Sequence, residues 1–436
     1  MDIKPFAGWR YAGMSDGRDM GPFLAPPYDV LSARDKQTLL AGSEHNIVAV
    51  DLPHVPPKEV GPDEAYRAAA ARLARWQADG VLRQDRPALY VYRQEFELGS
   101  RRYRRLALLG GVRATPLGPL RGDVIPHEHT FAGPKADRLK LTETTRMQLS
   151  PIFGFYRDDG TVPSLLAEIS RRPADFQARL DAPGQYSALD EALWVVDDEA
   201  TIERMQRALK TVPVFIADGH HRYTTALNYR DRLRAAGQID DVHEANFVLF
   251  ALVHRDDPGL IILPTHRVVQ GLAEGFDVCK LIAASPEFAW KRVSPAALDT
   301  RDIDASLRPH GPSAMAVLGP EDECWIATLR DGQSMAQAAP DQLPAWRSLN
   351  VAILHTLLLD RDLVSWRTDR TTIDYTPDAA TVLAACREGQ AAMGVCLQST
   401  PLAAVEEIAL AGANMPHKST YFYPKLTTGV VMKPLA

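Results

Sequence analysis

The chain reads as a mixed α/β fold. Strand-sized apolar runs such as Leu89–Leu98, Val214–Ile216 and Phe247–Val253 recur along it and alternate with stretches of helical period. Short turn sequences, Gly99-Ser100 and Asp256-Asp257-Pro258-Gly259, follow two of these runs and suit hairpins, so the sheet is expected to be mixed rather than all parallel. A length of 436 residues with 46% hydrophobic and 24% charged residues suits two globular domains. The loop-rich stretch from Gly271 to Pro312 places the expected boundary so that the first domain is 1–272 and the second, smaller α/β domain is 273–436.

In chain order, the prolines of Ala25–Ser32 predict a rigid loop feeding a helix capped by Ser32. Asn46–Leu52 reads as a short strand. Asp63–Asp79 is an amphipathic helix, with Tyr66, Ala69, Ala70, Leu73 and Trp76 on one face and Gly80 as its stop. A hairpin follows, Leu89–Leu98 with Tyr103–Ala114. Arg121–Leu141 mixes proline, histidine, acid and base before entering a helix with Pro134 near its first turn. Pro151–Tyr156 is a strand and Ala200–Leu209 a helix.

A second hairpin is expected from Asn246–Val253 and Leu260–Leu263. Beyond the boundary, strands at Ala314–Leu318 and Trp325–Leu329 precede an apolar helix, Leu349–Leu359. The tail then alternates: helix Asp378–Glu388, strand Ala391–Gln398, helix Pro401–Leu410 and a polar loop Asn414–Thr420.

Composition excludes several functional classes. The net charge is -6 and no basic tract is present, which argues against nucleic acid as the main partner. The first residues lack a cationic start followed by an apolar stretch, and the apolar runs are far short of a membrane span, so a cytoplasmic protein with no membrane partner is expected. Cys279, Cys324, Cys386 and Cys396 have no metal or redox spacing and read as buried thiols in a reducing compartment.

The chemistry concentrates in three windows that hold five of the twelve histidines: Pro126-His127-Glu128-His129 with Lys135 and Arg138 behind it; Asp218-Gly219-His220-His221-Arg222; and Pro416-His417-Lys418-Ser419-Thr420. The second follows an apolar strand and opens a helix that runs to Gly237. A strand turning through glycine into a helix start offers uncapped N–H groups and the positive end of a dipole, which is an anion site suited to phosphate. Adjacent histidines on a helix point about 100° apart, which argues against one shared transition-metal ion.

Phosphoryl transfer suits these residue types better, since it needs held phosphates, compensation of developing charge and a carboxylate to take the proton of the attacking hydroxyl. In that reading Asp218 holds Mg2+, Gly219, His220, His221 and Arg222 serve the phosphates, and Glu128 is the base. His127 and His129 alternate sides on an extended backbone, so only one faces the site. Lys135 and Arg138, three residues apart on a helix, present a basic face to substrate. Only 11 of the 49 basic residues are lysines, so those kept near the clusters (Lys135, Lys140, Lys418, Lys425) mark places where an ammonium is wanted.

Nearly end to end, through Ile3–Tyr11, Ala25–Val30, the Ile125–Leu139 stretch, Ala217–Tyr223 and Met415–Leu426, the chain resembles a widespread microbial family labelled as a domain of unknown function. Three of its motifs also resemble those of free serine kinases built on the ParB/sulfiredoxin-like fold: Pro126-His127-Glu128, Asp218–Arg222, and the segment carrying Pro416, Lys418, Ser419 and Thr420. The resemblance implies Glu128 as general base, Asp218–Arg222 for metal and phosphates, and a ParB/sulfiredoxin-like catalytic core with an N-terminal elaboration. His220 stands where the sulfiredoxin branch needs a cysteine, which argues against sulfiredoxin chemistry. The chain departs from the kinases in its greater length and in the wider separation of Glu128 from Asp218.

The expected function is therefore transfer of a phosphoryl group from ATP or ADP, with Mg2+, to the hydroxyl of free L-serine or a similar amino acid. His127, Lys135, Arg138, Lys418, Ser419 and Thr420 are the expected substrate-binding residues, the last three closing from the C-terminal domain. The alternatives are a ParB-like nucleotide-binding switch or nucleotidase, and a metallohydrolase.

Overall fold

The structure is a computed structural model that describes every residue except 13–18, 58, 131, 182–186 and 436, together with the side chains of 132 and 134. Phe131, within the first polar window, lies outside the described residues. The chain divides into two compact units. Met1–Ile261 joins with Pro424–Ala436 to form one, and Ile262–Tyr423 forms the other. The division thus falls at Ile261 rather than at 272, and the last residues, expected in the second domain, return to the first. The stretch expected to be loop-rich instead carries regular elements, including helix Val278–Ala284 and strand Phe288–Arg292.

The first unit is built on a nine-stranded mixed sheet, which bears out the expected α/β class. Its order is Val124–Ile125, Val214–Asp218, Ile152–Tyr156, Phe247–His254, Arg101–Arg113, Leu89–Leu98, Leu189–Val196 and Phe176–Leu180, with Ile3–Lys4 added to the end of Arg101–Arg113. Two neighbouring pairs are parallel, Val124–Ile125 with Val214–Asp218 and Ile152–Tyr156 with Phe247–His254, and the others are antiparallel. Phe247–His254 reads as a continuous apolar run because both of its faces are covered. Phe250 and Leu252 pack in a core with Leu165, Ile202, Met205 and Tyr223 from three helices. Truncating a residue such as Phe250 to alanine there would cost about 3–5 kcal/mol.

Helices Ala33–Gly42 and Asp63–Ala78 form as expected, the first with Ser32 and Asp35 in a reciprocal capping box. Two expectations fail for identifiable reasons. Asn46–Leu52 is not a strand: the Asn46 amide donates to the carbonyls of Pro22 and Leu24 while its oxygen accepts from Val48 N at 2.9 Å, starting the helical turn Val48–Asp51. Ile261–Leu263 does not pair with Phe247–His254, because Arg101–Arg113 and Ile152–Tyr156 already occupy both edges of that strand.

The second unit contains an all-antiparallel six-stranded sheet, ordered Phe288–Arg292, Cys324–Leu329, Met315–Leu318, Met393–Cys396, His266–Gln270 and Thr372–Thr376. The expected helices Ala379–Arg387 and Leu402–Leu410 are present. The apolar segment Leu349–Leu359 is a short α-helix, Asn350–Ile353, that widens into π-helix over Leu354–Asp362. Cys324, Cys386 and Cys396 are buried, but Cys279 is exposed, contrary to the reading of four buried thiols. Among the described residues no helix is long and apolar enough to cross a membrane.

Candidate functional site

The site forms at the sheet edge where two parallel strands end together. Val124 pairs with Val214 and Ile125 with Phe215, so the residues that follow each strand, Pro126-His127-Glu128 and Asp218-Gly219-His220, emerge side by side despite about ninety positions of sequence between them. On its other side Val214–Asp218 pairs with Ile152–Tyr156, and a bulge between Ile216 and Asp218 shifts the register just before the aspartate. Such a bulge re-aims the side chain beyond it. Gly219 then takes φ of 100°, and helix His220–Ala235 begins. That left-handed turn suits glycine, and a Cβ there would also stand 3.0 Å from the Arg222 guanidinium. With glycine as N-cap, no side chain at that position caps the first turn.

His127 and His220 are buried, and their rings meet edge to face at 4.7 Å. The backbone N–H of His127 donates to His220 Nε2 at 3.3 Å. Nε2 is therefore the unprotonated nitrogen of His220, and the ring proton sits on Nδ1, which faces Glu128 Oε2 at 4.0 Å. Burial pushes the His220 imidazolium well below its ordinary range, and the neighbouring His127 adds to the effect. Burial likewise lowers His127 to about 4, against a hydrogen bond to the Ile216 backbone that favours its charged form. Both rings are neutral at neutral pH. His129, by contrast, is exposed, as the alternation of an extended chain requires.

The positive charge comes from elsewhere. Arg222 donates from Nη2 to Asp218 Oδ2 at 2.7 Å and from Nη1 to Ser150 Oγ at 3.3 Å and to the Pro151 carbonyl. The other Asp218 oxygen receives the ammonium of Lys425, which the chain brings back to the first unit at Pro424. Burial alone would raise the Asp218 carboxyl; Lys425 and Arg222 overcome it and hold the group well below the usual carboxylate range.

A buried polar network fixes the Lys425 backbone. Arg105 donates to the Pro424 carbonyl at 2.7 Å and Gln94 to the Lys425 carbonyl at 3.4 Å. Glu191 beneath them accepts from Tyr92 at 2.6 Å, from Gln94 at 2.9 Å and from Thr427. Lys425 is the principal residue that motif reading left without a role. Its signals were the scarcity of lysine and its place near the end of the Met415–Leu426 segment.

The expected Mg2+ site does not fit this arrangement. Both oxygens of Asp218 are ion-paired to cations, and among the described residues no group of three or more His, Cys, Asp or Glu could hold a metal ion.

Of the expected substrate residues, Arg138 is not part of an exposed basic face with Lys135. It is buried, bonded to the Asp51 carbonyl at 2.6 Å and to Asp137, with its guanidinium 4.0 Å over the Tyr28 ring. Asp137 also accepts from Tyr66 at 2.6 Å and meets His54 Nε2 at 2.9 Å. Lys135 is half-buried in the first turns of the same helix, Ala132–Thr145. His221 is half-buried beside His220.

Lys418, Ser419 and Thr420 belong to the second unit. There Ser419 Oγ donates to the Pro416 carbonyl, its own carbonyl accepts from Thr400 at 2.7 Å, and the Lys418 carbonyl accepts from buried Arg267 at 3.2 Å. Lys418 takes φ of 55° in that turn.

Residues 3–352 match the family described as "Protein of unknown function (DUF1015)", and the chain belongs to that family. No curated protein matches it. Among solved structures it is similar to a conserved hypothetical protein from Pyrococcus furiosus (13% identity, 71% of this chain and 92% of that one, TM-score 0.33). A free serine kinase in complex with AMP aligns at 12% identity over 71% of this chain and 88% of its own, with a TM-score of 0.32. SbnI from Staphylococcus aureus, truncated at its C-terminus, aligns at 11% over 75% and 87%, with a TM-score of 0.35.

Proposed function

We propose that this member of the family is a nucleotide-dependent phosphotransferase acting on the hydroxyl of a small molecule, free L-serine or a similar amino acid. One observation carries the reading: a half-exposed carboxylate, Glu128, lies 4.0 Å from a neutral imidazole at the uncapped start of a helix that also bears Arg222, with Lys425 beside it. A carboxylate adjoining an anion cradle is what in-line transfer to an alcohol requires.

In this proposal Glu128 accepts the proton of the acceptor hydroxyl as its oxygen attacks the terminal phosphorus of ATP or ADP. The bond from that phosphorus to the leaving nucleotide oxygen breaks, and the shortened nucleotide carries away the negative charge. Arg222, Lys425 and the first-turn N–H groups after Gly219 meet that charge as it develops. His220, neutral with its proton on Nδ1, orients Glu128 without adding charge. The motif resemblance to free serine kinases on a ParB/sulfiredoxin-like core supports the same assignment.

The test is mass spectrometry of the purified protein with ATP or ADP and a mixture of hydroxylated amino acids. O-phosphoserine, or another phosphorylated amino acid, is expected with the parent chain and absent with Glu128→Gln, which should still bind nucleotide. Nucleotide binding without any phosphorylated product would overturn the kinase and favour a binding switch.

A further inference from the structure

A cavity of about 50 Å³ lies against Arg222 on the first unit and is used by nothing described above. Tyr28, Asp51, Arg138, Ser150, Arg222 and Thr225 form one polar wall, and Thr142, Gln148 and apolar side chains complete the lining. All six belong to the first unit. They come from five separate places in the sequence, so the fold assembles this wall from the Ala25–Val30 loop, the Val48–Asp51 turn, two helices and the segment before Ile152.

Three properties of the wall define what would fit. The first is size: at about 10–15 Å³ for each water-sized position, 50 Å³ accommodates roughly three to five non-hydrogen atoms. An α-amino-acid head (N, Cα, C and two oxygens) has that count. The second is charge. The guanidiniums of Arg138 and Arg222 share the wall with the buried carboxyl of Asp51. A lone anion would meet Asp51 and a lone cation would meet two guanidiniums, but a zwitterion matches both signs. The third is an orphan: Thr225 Oγ1 is buried on this wall with no hydrogen-bond partner among the described residues. A native core rarely leaves a hydroxyl so, and a ligand atom would satisfy it.

We infer that this cavity binds the ammonium and carboxylate of a free α-amino acid, with Asp51 facing the ammonium and the arginine side of the wall facing the carboxylate. The inference rests on the phosphotransferase reading for its role: Arg222 is shared with the Asp218 cluster, so the head group of the acceptor would be anchored one side chain away from the phosphate cradle. It gives a part to Tyr28 of the Ala25–Val30 loop, to which motif chemistry gave none.

The experiment is calorimetric titration of the full chain, without nucleotide, using glycine, L-serine, ethanolamine and 3-hydroxypropionate. Glycine and L-serine are expected to bind one to one and to compete, while ethanolamine and 3-hydroxypropionate, each lacking one charge of the head, bind at least tenfold more weakly. Asp51→Asn should weaken glycine and serine together by tenfold or more.

Because Asp51 pairs with Arg138 and its variant risks misfolding, Thr225→Val serves as the second variant. It removes only the orphan hydroxyl, so it should fold at least as stably as the parent and still lose several-fold in glycine affinity. No saturable binding of glycine or serine, equal binding of ethanolamine, or parental affinity in a folded Thr225→Val would each overturn the inference. Glycine binding with no phosphotransfer would refute the kinase alone. Phosphotransfer in a chain that does not bind glycine would refute the cavity alone.

Discussion

Replacing Lys425 by methionine keeps the length and apolar stem of the side chain and removes its ammonium from Asp218. In the parent chain that carboxylate holds two cations, Lys425 on Oδ1 and Arg222 on Oδ2 at 2.7 Å. The variant leaves Arg222 alone. A hydrogen bond to a charged group contributes about 1.5–3 kcal/mol, and each 1.4 kcal/mol is tenfold in affinity, so ATP and ADP should bind roughly ten- to hundredfold more weakly. The side chains of Lys425 and Asp218 are 9% and 19% exposed, so the stability loss should fall below the roughly 3–5 kcal/mol of a fully buried broken pair.

Titration calorimetry at two ionic strengths measures the effect, and the gap between parent and variant should narrow as salt screens the charge. The double variant Asp218→Asn with Lys425→Met separates two roles. If Lys425 contacts phosphate, it still weakens nucleotide binding in the Asp218→Asn background. Unchanged affinity in Lys425→Met would refute the assignment of Lys425 to the cradle, and the loss confined to an intact Asp218 would reduce it to a counter-ion.

Other perturbations report on the same construction. Burial holds the His127 imidazolium down to about 4 in the folded chain against about 6.5 unfolded, so the unfolded chain binds more protons between these values and stability falls as the pH drops through them, by about 2 kcal/mol at pH 5. Urea unfolding of parent and His127→Asn near neutrality and at about pH 5 checks this, because buried Asp51 and Glu191, raised by burial, act in the opposite sense and are common to both chains. Gly219→Ala should cost about 1–3 kcal/mol for its φ of 100° and weaken nucleotide binding by displacing Arg222; parental values of both would dissociate the turn from the site. Glu191→Ala should remove the carboxylate that Tyr92, Gln94 and Thr427 share and speed amide exchange locally around Leu426–Thr428, and uniform exchange there would deny that the network holds the Lys425 segment.

The class of fold was legible because strand length, helical period and turn residues act locally. Ser32 with Asp35 built its capping box, and the face of Tyr66, Leu73 and Trp76 was buried as the periodicity required. Pairing was less legible, since it depends on which edges remain open. Ile261–Leu263 looked like a hairpin partner only while the second neighbour of Phe247–His254 was unknown. Asn46 defeated the strand reading through bonds to Pro22 and Leu24, which local propensity does not contain. The two first motifs were recognisable as chemistry, but their meeting rests on the parallel pairing of Val124–Ile125 with Val214–Asp218, a two-residue strand too short to announce itself. Lys425 stood five residues past the motif that drew attention, and Arg138 carried a charge that suggested solvent while the fold buried it against Asp51 and Asp137.

The charge of the cradle is distributed in a way that the order of residues hides. His220, His221 and Arg222 in a first helical turn suggest a concentration of cations where the helix dipole opposes them. The structure removes much of that conflict. His220 is buried and held neutral, and His127, packed on it, is neutral as well, so neither repels the positive end of the helix. The cations are Arg222, whose guanidinium is turned back to Asp218, Ser150 and the Pro151 carbonyl, and Lys425, delivered from a different segment.

Asp218 compensates both in the resting chain, and its depressed pKa keeps that compensation present down to acid pH. An incoming phosphate competes with Asp218 for two cations already positioned, rather than having to assemble them. A neutral His220 meanwhile brings no positive charge of its own to Glu128 at 4.0 Å, so it does not lower the basicity of that carboxylate toward a hydroxyl. Protonating His220 would remove that advantage, so activity should decline on the acid side together with the stability that His127 controls.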